Sequence, residues 1–111
     1  MSTSKKEKNQ RNVEGKKEGL WEQYHPSGKL WYKGNFINGV KNGLWIWYYN
    51  NGRLDWKGNY INGKEDGLWK FYHSTGQMYS KGNFTNGTKE GLWKVYDTPE
   101  LLTKYSFYVN I

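Results

Sequence analysis

Lys33-Gly34-Asn35-Phe36-Ile37-Asn38-Gly39-Val40-Lys41-Asn42-Gly43-Leu44-Trp45 is the stretch on which the fold is decided. Its pattern returns at Lys57–Trp69 and at Lys81–Trp93, and its last part is already present at Gly15–Trp21. The spacing is 24 residues each time. All fourteen glycines of the 111-residue chain obey it. They fall on four positions: Gly15/39/63/87, Gly19/43/67/91, Gly28/52/76 and Gly34/58/82. Self-similarity at a fixed period of this size is the signature of a repeat architecture. The units run 19–42, 43–66 and 67–90, followed by an atypical unit over 91–111. In that last unit Glu100 and Ser106 stand where glycine is expected, and Pro99 enters the turn. Terminal repeats depart from the pattern because they cap a stack with no outer neighbour.

Each unit holds two extended runs. The first is short and aromatic: Leu20–His25, Leu44–Tyr49, Leu68–His73 and Leu92–Asp97. The second is longer: Lys29–Phe36, Arg53–Tyr60 and Gln77–Phe84. Such lengths are too short for helices, and a glycine every few residues disfavours one. Pro26-Ser27-Gly28, Asn50-Asn51-Gly52 and Ser74-Thr75-Gly76 are turn chemistry between the runs. Ile37–Gly43 and its copies read as a wider loop with glycine near each end. The expected fold class is therefore all-β: a single antiparallel β-meander of about eight strands, about 34 Å wide at the usual strand spacing. The expected organisation is a basic, disordered tail over 1–14 and a repeat domain over 15–111.

Composition narrows the function. No cysteine is present, so there is no disulfide framework, thiolate cage or thiol nucleophile. The first eighteen residues are too polar for a signal peptide, and no apolar run approaches a membrane span. A soluble, cytoplasmic protein is expected. Seven Trp, ten Tyr and four Phe make 19% of a chain only 35% hydrophobic, so its core is built from rings. The net charge is +7, and residues 1–18 carry +3 of it, six basic side chains against three acidic. Glu7, Glu14 and Glu18 interrupt the basic residues of this stretch, which leaves a modest affinity for anionic partners and nothing that would read a nucleic-acid sequence.

The Gly-x-aromatic spacing of Gly34-Asn35-Phe36, followed by Asn38-Gly39 and Gly43-Leu44-Trp45, resembles a MORN repeat, and Lys57–Trp69 and Lys81–Trp93 renew the match. The Gly-Leu-Trp and Asn-Gly-Lys-x-x-Gly wording and the period are similar to the bacterial repeats of YwqK-type antitoxin or immunity proteins. That resemblance implies a non-catalytic protein that neutralises a co-encoded toxin by binding it. Eukaryotic MORN repeats are associated instead with membrane junctions and phospholipid headgroups.

Alternation along a strand sorts the candidate binding residues. Leu20, Glu22 and Tyr24 share one face; Trp21, Gln23 and His25 share the other. Trp recurs in every unit and reads as scaffold, packed against the Gly34-type positions. The rings that break the repeat are candidates for partner contact: Trp31, Trp47, Tyr49 and Phe71, with Lys70 and Lys94 orienting the partner. Exposed aromatic patches mark interaction sites. Lys33, Lys57 and Lys81 recur two strands apart, about 10 Å between copies, and form a candidate anion-binding column.

No catalytic, metal-binding or cofactor-binding constellation is expected. The two histidines, His25 and His73, occupy the same repeat position and are about 19 Å apart in a flat meander. General acid–base or metal chemistry needs groups within bonding reach. The expectation is thus a protein-binding module that covers the active surface of a toxin or effector. Two alternatives stand beside it: binding of a nucleotide or acidic phospholipid headgroup by rings and lysines, since rings stack bases and lysines meet phosphates, or a scaffold that assembles homo-oligomers through its open sheet edges.

Overall fold

A computed structural model describes residues 7–98 and 101–109. They form one antiparallel sheet whose nine strands follow chain order. The strands are β1 (Gln10–Arg11), β2 (Lys17–Tyr24), β3 (Leu30–Ile37), β4 (Val40–Tyr48), β5 (Leu54–Ile61), β6 (Lys64–Tyr72), β7 (Met78–Thr85), β8 (Thr88–Thr98) and β9 (Leu101–Tyr108). No helix occurs among the described residues. Pro99 and Glu100, expected in the atypical turn, lie outside them, as do residues 1–6.

Two sequence expectations need correction. The stretch 1–14 is not wholly a tail, because β1 pairs with the start of β2. The Asn9 amide donates to the Leu20 carbonyl, and the Trp21 indole donates to the Gln10 carbonyl at 3.0 Å. This extra strand makes nine where about eight were expected. The second correction concerns the loops. Ile37–Gly43 is a tight hairpin, and β4 already begins at Val40. Asn38 and Gly39 both have left-handed φ, at 51° and 82°, as do Asn62-Gly63 and Asn86-Gly87. That is the conformation of a two-residue type I′ turn, whose twist matches the flanking strands. The Pro26–Gly28 connection is the longer one, with the chain re-entering the sheet at Leu30.

Gly43, Gly67 and Gly91 therefore lie inside strands. Between Asn42, opposite Asn35, and Ile46, opposite Lys33, three residues of β4 face Gly34 alone. This bulge carries Trp45 across the neighbouring strand. The Trp45 ring lies where a Cβ on Gly34 would stand, its nearest ring atom 2.0 Å from that point. Trp69 covers Gly58 and Trp93 covers Gly82 in the same way. Each indole then donates to the carbonyl after its glycine: Trp45 to Asn35, Trp69 to Asn59 and Trp93 to Asn83. A buried Trp needs such a partner for its N–H.

The core follows from this device. Trp21, Phe36, Trp45, Tyr60 and Trp69 form a buried cluster on one face, and Trp93 is buried beyond it. Phe36 meets Trp45 edge-on at 5.0 Å, Tyr60 meets Trp69 at 5.2 Å, and Phe84 meets Trp93 at 5.2 Å. Edge-to-face contacts place the positive rim of one ring on the negative face of the next. A single sheet thereby obtains a dry layer, with no second sheet or helix among the described residues.

Candidate functional site

The two faces of the sheet differ sharply in chemistry. On the inner face, a second row of rings runs beside the buried tryptophans. Tyr32 opposes Trp47, Trp47 opposes Trp56, and Trp56 opposes Phe71 across successive strands. Tyr32–Trp47 and Trp47–Trp56 are stacked with centroids 4.3 Å apart. Lysines lie over three of the buried indoles, Lys17 over Trp21, Lys41 over Trp45 and Lys89 over Trp93, and Arg11 joins Lys17 over Trp21. Desolvation among these rings lowers the Lys41 pKa, and burial pushes the Tyr60 phenol up to about 12.

The outer face carries a different row. Reading across the sheet, Glu22 opposes Lys33, Lys33 opposes Ile46, and Ile46 opposes Lys57. Beyond that point, Lys57 opposes Lys70, Lys70 opposes Lys81, and Lys81 opposes Lys94. Four ammonium groups thus come from four adjacent strands, over about 14 Å. The ion pairs among the described residues, Lys8–Glu22 and Lys16–Glu14, include none of the four. Like charges directly opposite one another destabilise a sheet. Their half-buried stems cover the sheet while the heads reach water. Exposed Leu44, Leu68, Leu92, Tyr105 and Phe107 flank the row.

This geometry regroups the candidate residues. Trp47 and Phe71 pack against the core on the inner face, whereas Lys70 and Lys94 belong to the outer row. These four cannot touch one partner surface together. Tyr49 is committed within the fold, for its hydroxyl donates to the Tyr72 carbonyl at 2.6 Å. His25, at the same repeat position, bonds the Tyr48 carbonyl, so this position stitches one unit to the next. Trp31 is exposed at the entry to β3, beside His25 at 5.5 Å. The expected lysine column changes as well. Lys57 and Lys81 are joined by Lys70 and Lys94, while Lys33 is cut off by Ile46 and neighbours Glu22. Glu22 itself has its pKa lowered, chiefly by the Lys8 ammonium bonded to it.

Sequence reasoning missed the contiguity of the row because Lys57/Lys81 and Lys70/Lys94 lie on different runs of the unit. The signal was available in strand parity, but only the register makes the two sets neighbours. It also passed over Trp56 and Tyr32, which complete the inner ring row.

The model of the MORN repeat variant matches residues 17–38, 41–62 and 65–86, segments that begin 24 residues apart. The chain belongs to the MORN repeat variant family. Each matched MORN segment spans one hairpin, from the strand that carries Gly-Leu-Trp to the turn that carries Asn-Gly. The lysine row is spread over the second and third MORN units and extends onto β8, past the last match. No curated protein matches this chain.

Proposed function

We propose that this MORN protein is a non-catalytic binding module that covers an acidic surface of a protein partner with its outer face. The observation that carries the reading is the uninterrupted row Lys57, Lys70, Lys81 and Lys94. A row of mutually repelling charges lowers stability, and an acidic partner removes that repulsion on docking. Exposed Leu44, Leu68, Leu92 and Phe107 supply apolar contact beside it, so charge steers the encounter and apolar burial holds it. The YwqK-type resemblance supports a toxin or effector as the partner, silenced by occlusion of its active surface. Occlusion requires no catalytic group or cofactor. A cytoplasmic setting fits a chain without cysteine.

The test is co-expression with a toxic-domain protein, sought among the products of the neighbouring genes, followed by titration of the purified pair. Lys70→Glu with Lys81→Glu abolishes the complex, and binding to the unaltered chain weakens as salt rises. A complex indifferent to both refutes the reading. The same row suits an acidic lipid headgroup or nucleotide phosphate, and this is the second reading. It predicts binding to phosphatidylcholine vesicles only when phosphatidylserine is present, or to a nucleotide in solution, again lost on charge reversal. Assembly through the edge of β9 is the third, and equilibrium sedimentation of the chain alone decides it.

A further inference from the structure

The inner ring row is interrupted in the third unit, and the interruption has the form of a site. At the repeat position of Tyr32 and Trp56 stands Ser80, and opposite it, where Trp47 and Phe71 stand in the earlier units, is Val95. In the first two units the ring at this position stacks on the strand's neighbour and on the next buried indole. Tyr32 lies 6.0 Å from Trp45, and Trp56 lies 5.0 Å from Trp69, both near-parallel. Ser80 is too small to reach Trp93 in that manner. Its place is a depression of about 200 Å³ lined by Phe71, Tyr79, Ser80, Lys89 and Trp93. Phe71 leans over it to 6.0 Å from Trp93, at a 35° tilt, without closing it.

The rim differs from the earlier units too. The Lys41 ammonium is surrounded by three rings, those of Trp45, Trp47 and Tyr60. Lys89 has the rings of Trp93 and Tyr108, and Val95 in place of the third. Its ammonium is exposed on the wall of the depression.

We propose that this break binds a planar aromatic group bearing a negative charge, the ring taking the place that Tyr32 and Trp56 occupy in their units and the anion meeting Lys89. The repeat itself specifies the occupant's shape, because an indole already fits the equivalent place at Trp56. The charge follows from a cation held at the mouth of a mainly aromatic slot. The site lies on the opposite face from the lysine row, so it stands or falls independently of the partner proposed for that row.

Two readouts test it. Ser80→Trp supplies the missing rung, and its thermal midpoint rises above that of the unaltered chain; a fall, or failure to fold, overturns the slot. The second is titration of the full chain with N-acetyltryptophan, followed by amide and indole NMR shifts. Shifts centre on Phe71, Ser80 and the Trp93 indole, and disappear in folded Ser80→Trp. Lys89→Gln weakens binding about two- to five-fold, as loss of an exposed ion pair would. N-acetyltryptophan amide, the neutral form that an internal residue of a protein would present, binds more weakly by the same factor. Equal binding of the two overturns the role of the charge and makes the source a protein side chain; a free or chain-terminal carboxylate is the source where the acid prevails. Absence of saturable shifts, or shifts that survive Ser80→Trp, overturns the proposal.

Discussion

Replacing Gly58 by alanine probes the device that builds the core. The backbone at Gly58 has no left-handed φ, so alanine is conformationally acceptable, and in a strand it would ordinarily gain about 0.5–1 kcal/mol over glycine. The added Cβ, however, would lie 2.1 Å from Trp69 Cδ2 and 2.2 Å from Cε2. To restore ordinary contact the ring must withdraw by about 1.3 Å, and overpacking of this kind costs about 1–3 kcal/mol. Withdrawal also stretches the bond from the Trp69 indole to the Asn59 carbonyl, now 3.1 Å, leaving a buried donor poorly paired at about 1–3 kcal/mol. The net expectation is a loss of about 2–4 kcal/mol, a fall in melting temperature of about 10 °C or more for a domain of this size. Urea denaturation followed by circular dichroism measures it. In a Trp69→Leu background the same alanine should cost less than about 0.5 kcal/mol, because the obstructing ring is gone. Gly52→Ala is the control. Its cost arises from a φ of 89° with only the Lys29 stem nearby, and it should be independent of any tryptophan. Should Gly58→Ala lose equally in both backgrounds, or hardly at all, the indole-over-glycine account of the fold is wrong.

Trp45→Phe keeps most of the buried ring but removes the donor to the Asn35 carbonyl, held at 3.0 Å. A loss of about 1–3 kcal/mol is expected in the same denaturation assay, together with faster amide exchange along β3 and β4. At high pH the buried Tyr60 phenol stays protonated up to about 12, whereas in the unfolded chain it ionises near 10. The unfolded state then binds fewer protons, so stability present below pH 10 is lost as pH rises from 10 towards 12. Tyr60→Phe should flatten that decline in a series of denaturation midpoints, and an unchanged slope would show that burial of this phenol is not its source.

Legibility in the sequence varied by element, for physical reasons. The hairpin at Asn38-Gly39 was visible as turn chemistry, yet its width was misjudged. Gly43 resembles a second loop glycine, but it is a residue within β4 whose left-handed φ lies in the bulge that carries Trp45 over Gly34. β1 was obscured because Gln10-Arg11 is polar and outside the repeat. It is held by backbone bonds and by one indole, not by a hydrophobic pattern. Among the candidate contacts, Tyr49 looked free because its repeat position is variable. The variation hides a shared task, since both the Tyr49 hydroxyl and the His25 ring bond a carbonyl of the next unit.

The sequence by itself determined the period, the antiparallel hairpins and which residues alternate together, because these depend on local backbone preference and on strand periodicity. It could also match Trp to Gly, since every Gly-Leu-Trp after the first follows a Lys-Gly-Asn that answers it. Only the tertiary structure decided which strands' lysines stand side by side and where the ring row breaks. Both depend on the register between successive strands, which bulges shift away from what simple hairpin counting gives. A slip of one residue would send Lys70 to the ring face and Phe71 to water. The bulge opposite Gly34 and its repeats fixes that register. The same glycine that lets the indole cross also sets the lysines in line.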